Sequence, residues 1–251
     1  MDAARFHAHY CLQADWLAPA RRYLFRRIAL AGRESILDLG CGSGVITEEM
    51  RKICGRPALG VDRDPTLVAF AAKEYPHSNF LVADENVLLR RGLSFDVIVI
   101  SFVLMWQPRP LLFLRKMKKL LKANGTLLIL AEPDYGGRVD YPDELHFLRE
   151  IFTGHILRLK GDPFIGRKLK ALLSGAGWLA DVGLASDLNF PNGYDTAAWE
   201  KEWRFWQELA GLSDRTVKRI LKLEKDAARR QRRLVLFPVF CASARDPKKS
   251  I

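Results

Sequence analysis

Cysteine is scarce in this sequence, with four residues in 251, and none of the four forms a CxxC pair or a Cys/His cluster at metal-ligand spacing. This scarcity argues against a disulfide framework and a structural zinc site, and we predict no bound metal. No apolar run reaches the roughly 18 residues that a membrane-spanning helix needs. The first residues lack the basic-then-apolar order of a secretory signal, so we predict a cytoplasmic protein with no membrane span.

Acidic residues are outnumbered, since 40 Lys and Arg face 29 Asp and Glu and the formal net charge is +11. Much of this excess lies in the segment from Arg215 to Arg233, which holds nine basic residues and two acidic ones. Clustered cations can bind nucleic-acid phosphates. Lys and Arg are also ordinary residues on the solvated face of a helix, and we favour that interpretation.

From about residue 34, short apolar segments alternate with amphipathic ones, as in a parallel sheet covered by helices on both faces. The pattern predicts five strands, at Ser35–Leu39, Ala58–Val61, Asn79–Val82, Phe95–Ser101 and Thr126–Ala131. Between them it predicts helices at Val45–Cys54, Pro65–Glu74 and Pro110–Lys122.

Two regions lie outside that alternation. Residues 2–31 are predicted to be helical, with a break at Pro19, and a turn-rich segment with four Pro and Gly residues follows the fifth strand. The remaining chain predicts helices at 142–160, 163–175 and 196–230, and strands at 178–190 and 233–244. Pro238 indicates an edge position or a bulge in the last strand.

The first predicted strand runs into a glycine turn, LDLGCGSG, that opens a helix. Glycines there allow close approach of the backbone to a ligand at a helix N-terminus. Asp62 ends the second predicted strand about 18 residues after Gly44, where an acid can accept both hydroxyls of a ribose. Because the two strand ends adjoin, the sequence predicts a nucleoside site.

The glycine spacing distinguishes two kinds of nucleoside. A dinucleotide site has the pattern GxGxxG, whereas here the sixth position is Val45 and the spacing is GxGxG. Asp38 precedes the first glycine by two residues, and an acid there suits an ammonium group better than a pyrophosphate. A cationic, phosphate-free nucleoside is therefore favoured over NAD.

With these residues the sequence resembles the class I S-adenosylmethionine-dependent methyltransferases, in particular their small-molecule, ubiquinone/menaquinone-biosynthesis-like branch (methyltransferase type 11), over about Glu34 to Glu132. The resemblance implies S-adenosyl-L-methionine as cofactor. It implies an α/β, Rossmann-like, doubly wound sheet of seven mainly parallel strands with an antiparallel last strand. It further implies one domain, 1–251, with a helical lid (1–31), a cofactor half (32–132) and a substrate half (133–251) that contains a helical insertion (196–230) and the last strand (233–244).

Carried over position by position, the resemblance implies a set of cofactor contacts: the methionine part against Asp38, Gly40, Cys41, Gly42 and Gly44, the ribose on Asp62, and the adenine beside Arg63, Asp84 and Glu85, with Ser101 under the methionine chain. An alternative stays open for the acids. Asp84 and Glu85 could instead cap the helix that follows them, and Asp62 could belong to a helix entry.

Methyl transfer from a sulfonium is an in-line displacement by a donor that is already activated. Such a site needs alignment and dryness, and it needs a base only if the acceptor must lose a proton. An apolar strand end, SFVLMW at 101–106, is compatible with this chemistry. It lacks the Asn- or Asp-Pro-Pro-aromatic motif of related amino-methylating enzymes of DNA and some of RNA.

The substrate cavity is predicted from residues near the same edge of the sheet: Tyr10, Trp16, Trp106, Glu132, Tyr135 and Trp203. Trp199, Trp203 and Trp206 share one helix face, which either roofs a pocket or joins the insertion to the body. His155 is weighed as a base, and no catalytic base is assigned.

These features predict a methyltransferase acting on a small, apolar or aromatic molecule, as a monomer or homodimer. Two alternatives stay open. One is a tRNA, rRNA or other nucleic-acid methyltransferase that uses the basic segment, and the other is a non-catalytic S-adenosylmethionine-binding protein. An open groove leading from the cofactor to Arg215–Arg233 would favour the first alternative.

Overall fold

The computed structural model describes residues 2–185 and 196–249, without the side chains of residues 196–199 and 208. The helices are α1 (Ala3–Trp16), α2 (Ala18–Arg27), α3 (Val45–Cys54), α4 (Pro65–Glu74), α5 (Glu85–Arg90), α6 (Pro110–Leu120), α7 (Leu148–Arg158), α8 (Ile165–Gly175), α9 (Thr196–Ala210) and α10 (Asp214–Arg229). The strands are β1 (Ile36–Leu39), β2 (Leu59–Asp62), β3 (Asn79–Val82), β4 (Phe95–Ser101), β5 (Leu121–Pro133), β6 (Val139–Tyr141), β7 (Leu179–Leu184), β8 (Leu234–Leu236) and β9 (Val239–Arg245).

Seven strands form one sheet in the order β3-β2-β1-β4-β5-β9-β7, and β9 is antiparallel to both of its neighbours. The strands from β3 to β5 pair in parallel. The predicted seven-stranded, mainly parallel sheet with an antiparallel last strand is confirmed. Because the strand order reverses between β1 and β4, the carboxyl ends of these two strands border the crevice where such sheets bind ligands.

The central strands are apolar because both of their faces are covered. Every residue of β1 is buried, and Val97, Ile98, Val99 and Ile100 of β4 are fully buried. Polar residues mark where the flanking helices begin: the side chain of Asp64 accepts from the backbone N–H groups of Thr66 and Leu67 at the start of α4. The helices predicted over Val45–Cys54 and Pro65–Glu74 have the predicted bounds.

Two predicted helix boundaries are corrected by the structure. The N-terminal helices separate at Leu17, and Pro19 lies in the first turn of α2, where its missing N–H has no helical partner to lose. The helix predicted over 196–230 is two helices, because Gly211 adopts a φ of +64° after α9 and Ser213 caps α10.

The strand predicted over 233–244 is also divided. β8 pairs with β6 in a separate two-stranded ribbon, whereas β9 enters the main sheet, and Pro238 stands between them. Pro238 therefore marks a boundary between strands rather than a bulge within one. The strand predicted at 178–190 is β7, and its predicted residues beyond Ala185 lie outside the described part of the chain.

The ribbon is joined to α10 by a buried group of charges. The guanidinium of Arg233, 2% exposed, contacts Asp140 of β6 at 2.6 Å and Glu224 of α10. Arg138 also pairs with Asp140, at 2.7 Å. No helix in the described residues is both long and apolar enough to span a membrane.

Candidate active site

A cavity of about 560 Å³ lies at the carboxyl ends of β1, β2 and β4, beneath α1 and α9. This volume is within the range of small-molecule sites. Ten of the predicted site residues line it: Tyr10, Asp38, Gly40, Cys41, Gly42, Asp62, Arg63, Ser101, Trp106 and Tyr135. The cavity therefore brings the glycine turn and the ribose acid together with aromatic residues from both the N-terminal helices and the segment after β5.

The glycine turn is held in a conformation that favours glycine. Gly40 and Gly42 have φ values of +81° and +53°. A Cβ added to Gly42 would lie 2.8 Å from Cε2 of Tyr10, so the ring of Tyr10 packs directly on the turn. Burial, with the Asp62 and Asp64 carboxylates, raises the pKa of Tyr10. The phenol of Tyr10 is therefore neutral above the turn.

Asp62 ties the end of β2 to the glycine turn. Its Oδ2 accepts from the backbone N–H of Gly42 at 2.8 Å, and its Oδ1 accepts from that of Asp64 at 3.0 Å. A carboxylate has about four acceptor positions, so each oxygen retains one for a hydroxyl donor. The residue thus fits the ribose-binding role that was predicted for it.

Asp38 is an acid at the floor of the cavity. It is 2% exposed, and its Oδ2 accepts from Oγ1 of Thr47 at 2.6 Å. Burial raises the pKa of Asp38 to about 7, although the Thr47 hydrogen bond opposes that shift. A buried carboxylate without a cationic partner in the described residues suits a ligand that brings its own positive charge.

Three predicted cofactor residues do not line the cavity. Gly44 packs on Phe80, since a Cβ there would lie 2.7 Å from Cζ of that ring. Asp84 caps α5, accepting from the backbone N–H groups of Asn86 and Val87, and Glu85 pairs with Lys116 at 2.9 Å. The capping alternative therefore describes the observed contacts of Asp84, and adenine contacts of both acids stay a prediction.

Glu132 was predicted to be a cavity wall, but it is fully buried behind that wall. Its Oε1 accepts from the backbone N–H groups of Val103 and Leu104, at 3.0 and 2.8 Å, and its Oε2 from that of Met105 at 3.2 Å. Burial raises the pKa of Glu132 to about 8, against these hydrogen bonds. This side chain thus shapes the SFVLMW turn after β4.

The predicted tryptophans are also partly reassigned. Trp203 is fully buried and does not line the cavity, whereas Trp206, one turn on, does. Trp16 lies outside the lining as well, with 37% of its surface exposed. The side chain of Trp199 is outside the described part of the structure. The seam interpretation therefore holds for Trp203, and the roof interpretation for Trp206.

The sequence interpretation missed a second set of lining residues: Phe6, His9, Gln13, Phe205 and Leu209. Phe6, His9, Tyr10 and Gln13 are spaced as one face of α1, and that spacing was the available signal. His155 also lines the cavity, and its buried Nε2 has no hydrogen-bond partner among the described residues. Burial, with Arg158, lowers the pKa of His155.

The cavity lining combines two kinds of group. It contains the glycine turn and the carboxylates of Asp38 and Asp62, and it also contains aromatic rings from α1, α9 and the segments after β4 and β5. No group of three His, Cys, Asp or Glu side chains suited to a metal ion occurs among the described residues. The arrangement can hold a charged nucleoside beside a flat, largely apolar molecule.

Comparison with known proteins agrees with this site. Residues 37–129 match the family model described as a methyltransferase domain. An uncharacterized methyltransferase of Schizosaccharomyces pombe is 30% identical over 127 residues, which are 47% of this chain and 48% of that protein. A ubiquinone biosynthesis O-methyltransferase of Xanthomonas campestris is 32% identical over 112 residues, 43% of this chain and 46% of that protein. The chain thus spans about half the length of the curated relatives it matches.

Among solved structures, a putative sarcosine dimethylglycine methyltransferase from Galdieria sulphuraria aligns with a TM-score of 0.59. The alignment covers 95% of this chain and 86% of the other at 14% identity, so it supports the fold. The matched segment begins in β1 and ends in β5, and it contains the glycine turn and Asp62. Over residues 37–129 the chain is therefore similar to the methyltransferase domain family, and the predicted resemblance to class I S-adenosylmethionine-dependent methyltransferases is confirmed.

Proposed function

We propose that this protein binds S-adenosyl-L-methionine and transfers its methyl group, by in-line displacement, to a small apolar or aromatic molecule. The observation that carries the proposal is a cavity whose lining combines the glycine turn and Asp62 with aromatic residues of α1 and α9. A donor and an acceptor bound together in this cavity would lie next to each other, as direct transfer requires.

When bound, S-adenosylmethionine supplies a sulfonium methyl group that needs no further activation. The residues of the chain would then bind, align and exclude water. Asp38 would bind the ammonium group, Asp62 would bind the ribose hydroxyls, and the Gly40–Gly42 backbone would allow close approach, since all of them line the cavity. Met105, whose backbone N–H donates to Glu132, and its neighbour Trp106 would give the acceptor an apolar wall.

A small acceptor is supported by what surrounds the cavity. None of the described lining residues comes from the basic segment 215–233. Within that segment Arg233 is buried in ion pairs with Glu224 and Asp140, and Lys225 pairs with Glu200. The relative named as a ubiquinone biosynthesis O-methyltransferase also supports a small organic acceptor.

The proposal is tested by isothermal calorimetry with S-adenosylmethionine and S-adenosylhomocysteine, using Gly42→Ala and Gly55→Ala as a matched pair. Both glycines have positive φ, +53° and +65°, but only a Cβ at residue 42 meets another group, Tyr10. Both variants share a backbone cost of about 1–2 kcal/mol. We expect G42A to weaken binding about tenfold or more, since displacing Tyr10 disturbs the turn, and G55A to keep the wild-type affinity.

Product formation is then measured as S-adenosylhomocysteine release across a panel of small aromatic molecules. Wild-type protein that binds neither nucleoside would overturn the proposal. Binding without release of S-adenosylhomocysteine from any acceptor, bulk tRNA included, would instead support the non-catalytic alternative.

A further inference from the structure

A histidine and a glutamate meet over the cavity, each from a different helix of its roof. His9 of α1 is 7% exposed and lines the cavity, and Glu202 of α9 is 7% exposed. Nδ1 of His9 lies 3.1 Å from Oε2 of Glu202, an ion-pair distance without the angles of a hydrogen bond, and neither atom has a hydrogen-bond partner in the described residues. The imidazole also stacks on the ring of Phe205, with centroids 3.8 Å apart and planes 8° from parallel.

Glu202 is itself held from the other side. Its Oε1 accepts from Nε1 of Trp206 at 2.7 Å, and Trp206 lines the cavity. The imidazole is therefore fixed by a stacked ring and the carboxylate by an indole. Because Nδ1 faces Glu202, Nε2 is the nitrogen of His9 that is left for a ligand.

The neighbours of His9 on the cavity face of α1 are uncharged. They are Phe6, Tyr10, whose phenol is neutral, and Gln13. The charged or titratable side chains that line the same cavity are Tyr10, Arg21, Asp38, Cys41, Asp62, Arg63, Asp64, Tyr135 and His155. Among these, His155 has no carboxylate contact in the described structure.

We propose that Nε2 of His9 accepts the proton of a hydroxyl group on an aromatic methyl acceptor, and that Glu202 positions His9 for this step. The inference rests on the proposed function. As the acceptor oxygen forms its bond to the methyl carbon, the S–CH₃ bond breaks and its electron pair stays on sulfur. The hydroxyl proton moves to Nε2 and leaves with solvent after the products dissociate.

The class of acceptor follows from the strength of the base. An amine has a free electron pair before it loses a proton, so its methylation does not need a base in the displacement step. A phenol, with a pKa near 10, is the neutral hydroxyl most accessible to an imidazole, whose ordinary value is about 6.5. The flat aromatic surroundings of His9 suit the ring of such an acceptor.

The test uses 4-nitrophenol, whose absorbance reports its ionisation, added to the S-adenosylhomocysteine complex. We expect the wild-type complex to bind it as the phenolate at a pH where the free compound is mostly neutral. Its methyl ether, 4-nitroanisole, measures binding without a transferable proton. His9→Gln should lose the phenolate signal and retain 4-nitroanisole binding, because the amide still reaches Glu202 but takes no proton.

His146→Gln is the matched control. His146 also pairs with a carboxylate, that of Asp143 at 3.3 Å, but this pair lies on the surface, and we expect the variant to behave as wild type.

With any phenol that is turned over, H9Q should lower kcat about a hundredfold without changing S-adenosylhomocysteine affinity. Glu202→Gln should lower kcat with the same phenol and leave KM unchanged, and Glu202→Asp should restore part of the loss. A merely structural pair would not be rescued by the shorter carboxylate in this way.

The outcomes separate the two proposals. If the wild type does not bind S-adenosylhomocysteine, the proposed function fails. If it binds S-adenosylhomocysteine but takes up no 4-nitrophenol, or if H9Q gives the same phenolate signal as wild type, the role of His9 is wrong while the proposed function stands.

Discussion

At the scale of single residues, the carboxyl group of Asp38 is a titratable group buried at the floor of the cavity. Its carboxylate is placed by β1 under the glycine turn, and burial raises its pKa from an ordinary 3.8 to about 7. The folded protein thus holds a proton there that the unfolded chain releases. Without ligand, the corresponding part of the free energy of unfolding is present below pH 4 and is lost as the pH rises toward 7.

A cationic ligand reverses this preference, since it favours the ionised carboxylate. We therefore expect the affinity for S-adenosylmethionine to rise about tenfold between pH 6 and pH 8, as the carboxylate ionises. Calorimetry at several pH values measures this rise, and Asp38→Asn should show a flat profile over the same range. A wild-type profile parallel to that of D38N would contradict the role of Asp38.

Residue identity was predictable at the glycine turn and not at Glu132. Asp38, Gly40, Gly42 and Asp62 carry their roles in short spacings that the sequence displays, and all four line the cavity. Glu132 binds backbone N–H groups of residues 103–105, which any sequence would supply. Its role arises only because the fold places the end of β5 beside the turn after β4.

At the scale of elements, the predicted alternation of strands and helices holds from β1 to β5. In this part of the chain each strand is a short apolar segment and each helix an amphipathic one, so the sequence pattern distinguishes them. It fails where a boundary depends on one residue. Gly211 follows α9 inside the segment predicted as one helix, and Pro238, interpreted as an edge position or a bulge in one strand, separates β8 from β9. The pairing of β8 with β6 joins residues nearly a hundred positions apart, so no local pattern indicates it.

The attachment of α10 to the ribbon depends on Arg233. Arg233→Met would remove the guanidinium group that pairs with the carboxylates of Asp140 and Glu224. Both of these side chains are buried, each with 1% of its surface exposed. We expect a loss of about 3–5 kcal/mol in the free energy of unfolding. Arg230→Met is the control, because the Arg230 and Asp226 side chains are 61% and 53% exposed, and its cost should stay below about 0.5 kcal/mol. Urea unfolding of both variants measures the difference, and equal costs would contradict the buried role of Arg233.

At the scale of the whole molecule, the net charge is +11, but the basic segment 215–233 supplies none of the described residues that line the cavity. Saturation with S-adenosylhomocysteine at about 100 times its Kd should stabilise the folded state by about 2.7 kcal/mol and raise Tm.

Bulk tRNA should bind weakly, with affinity that falls steeply as salt increases, and should not change the nucleoside affinity. Thermal melts and calorimetry with and without tRNA check both expectations. Tight tRNA binding at physiological salt that alters nucleoside affinity would favour the nucleic-acid alternative.

The position of β9 has a consequence for the order of assembly. β9 lies between β5 and β7, and in the described part of the chain β7 pairs with the sheet through β9 alone. Because a chain emerges from the ribosome in sequence order, β1 to β5 can pair while residues 179–184 still have no partner strand. That edge of the sheet is completed only after residues 239–245 have been translated. The half of the molecule that holds the glycine turn can therefore fold earlier during synthesis than the half that completes the sheet.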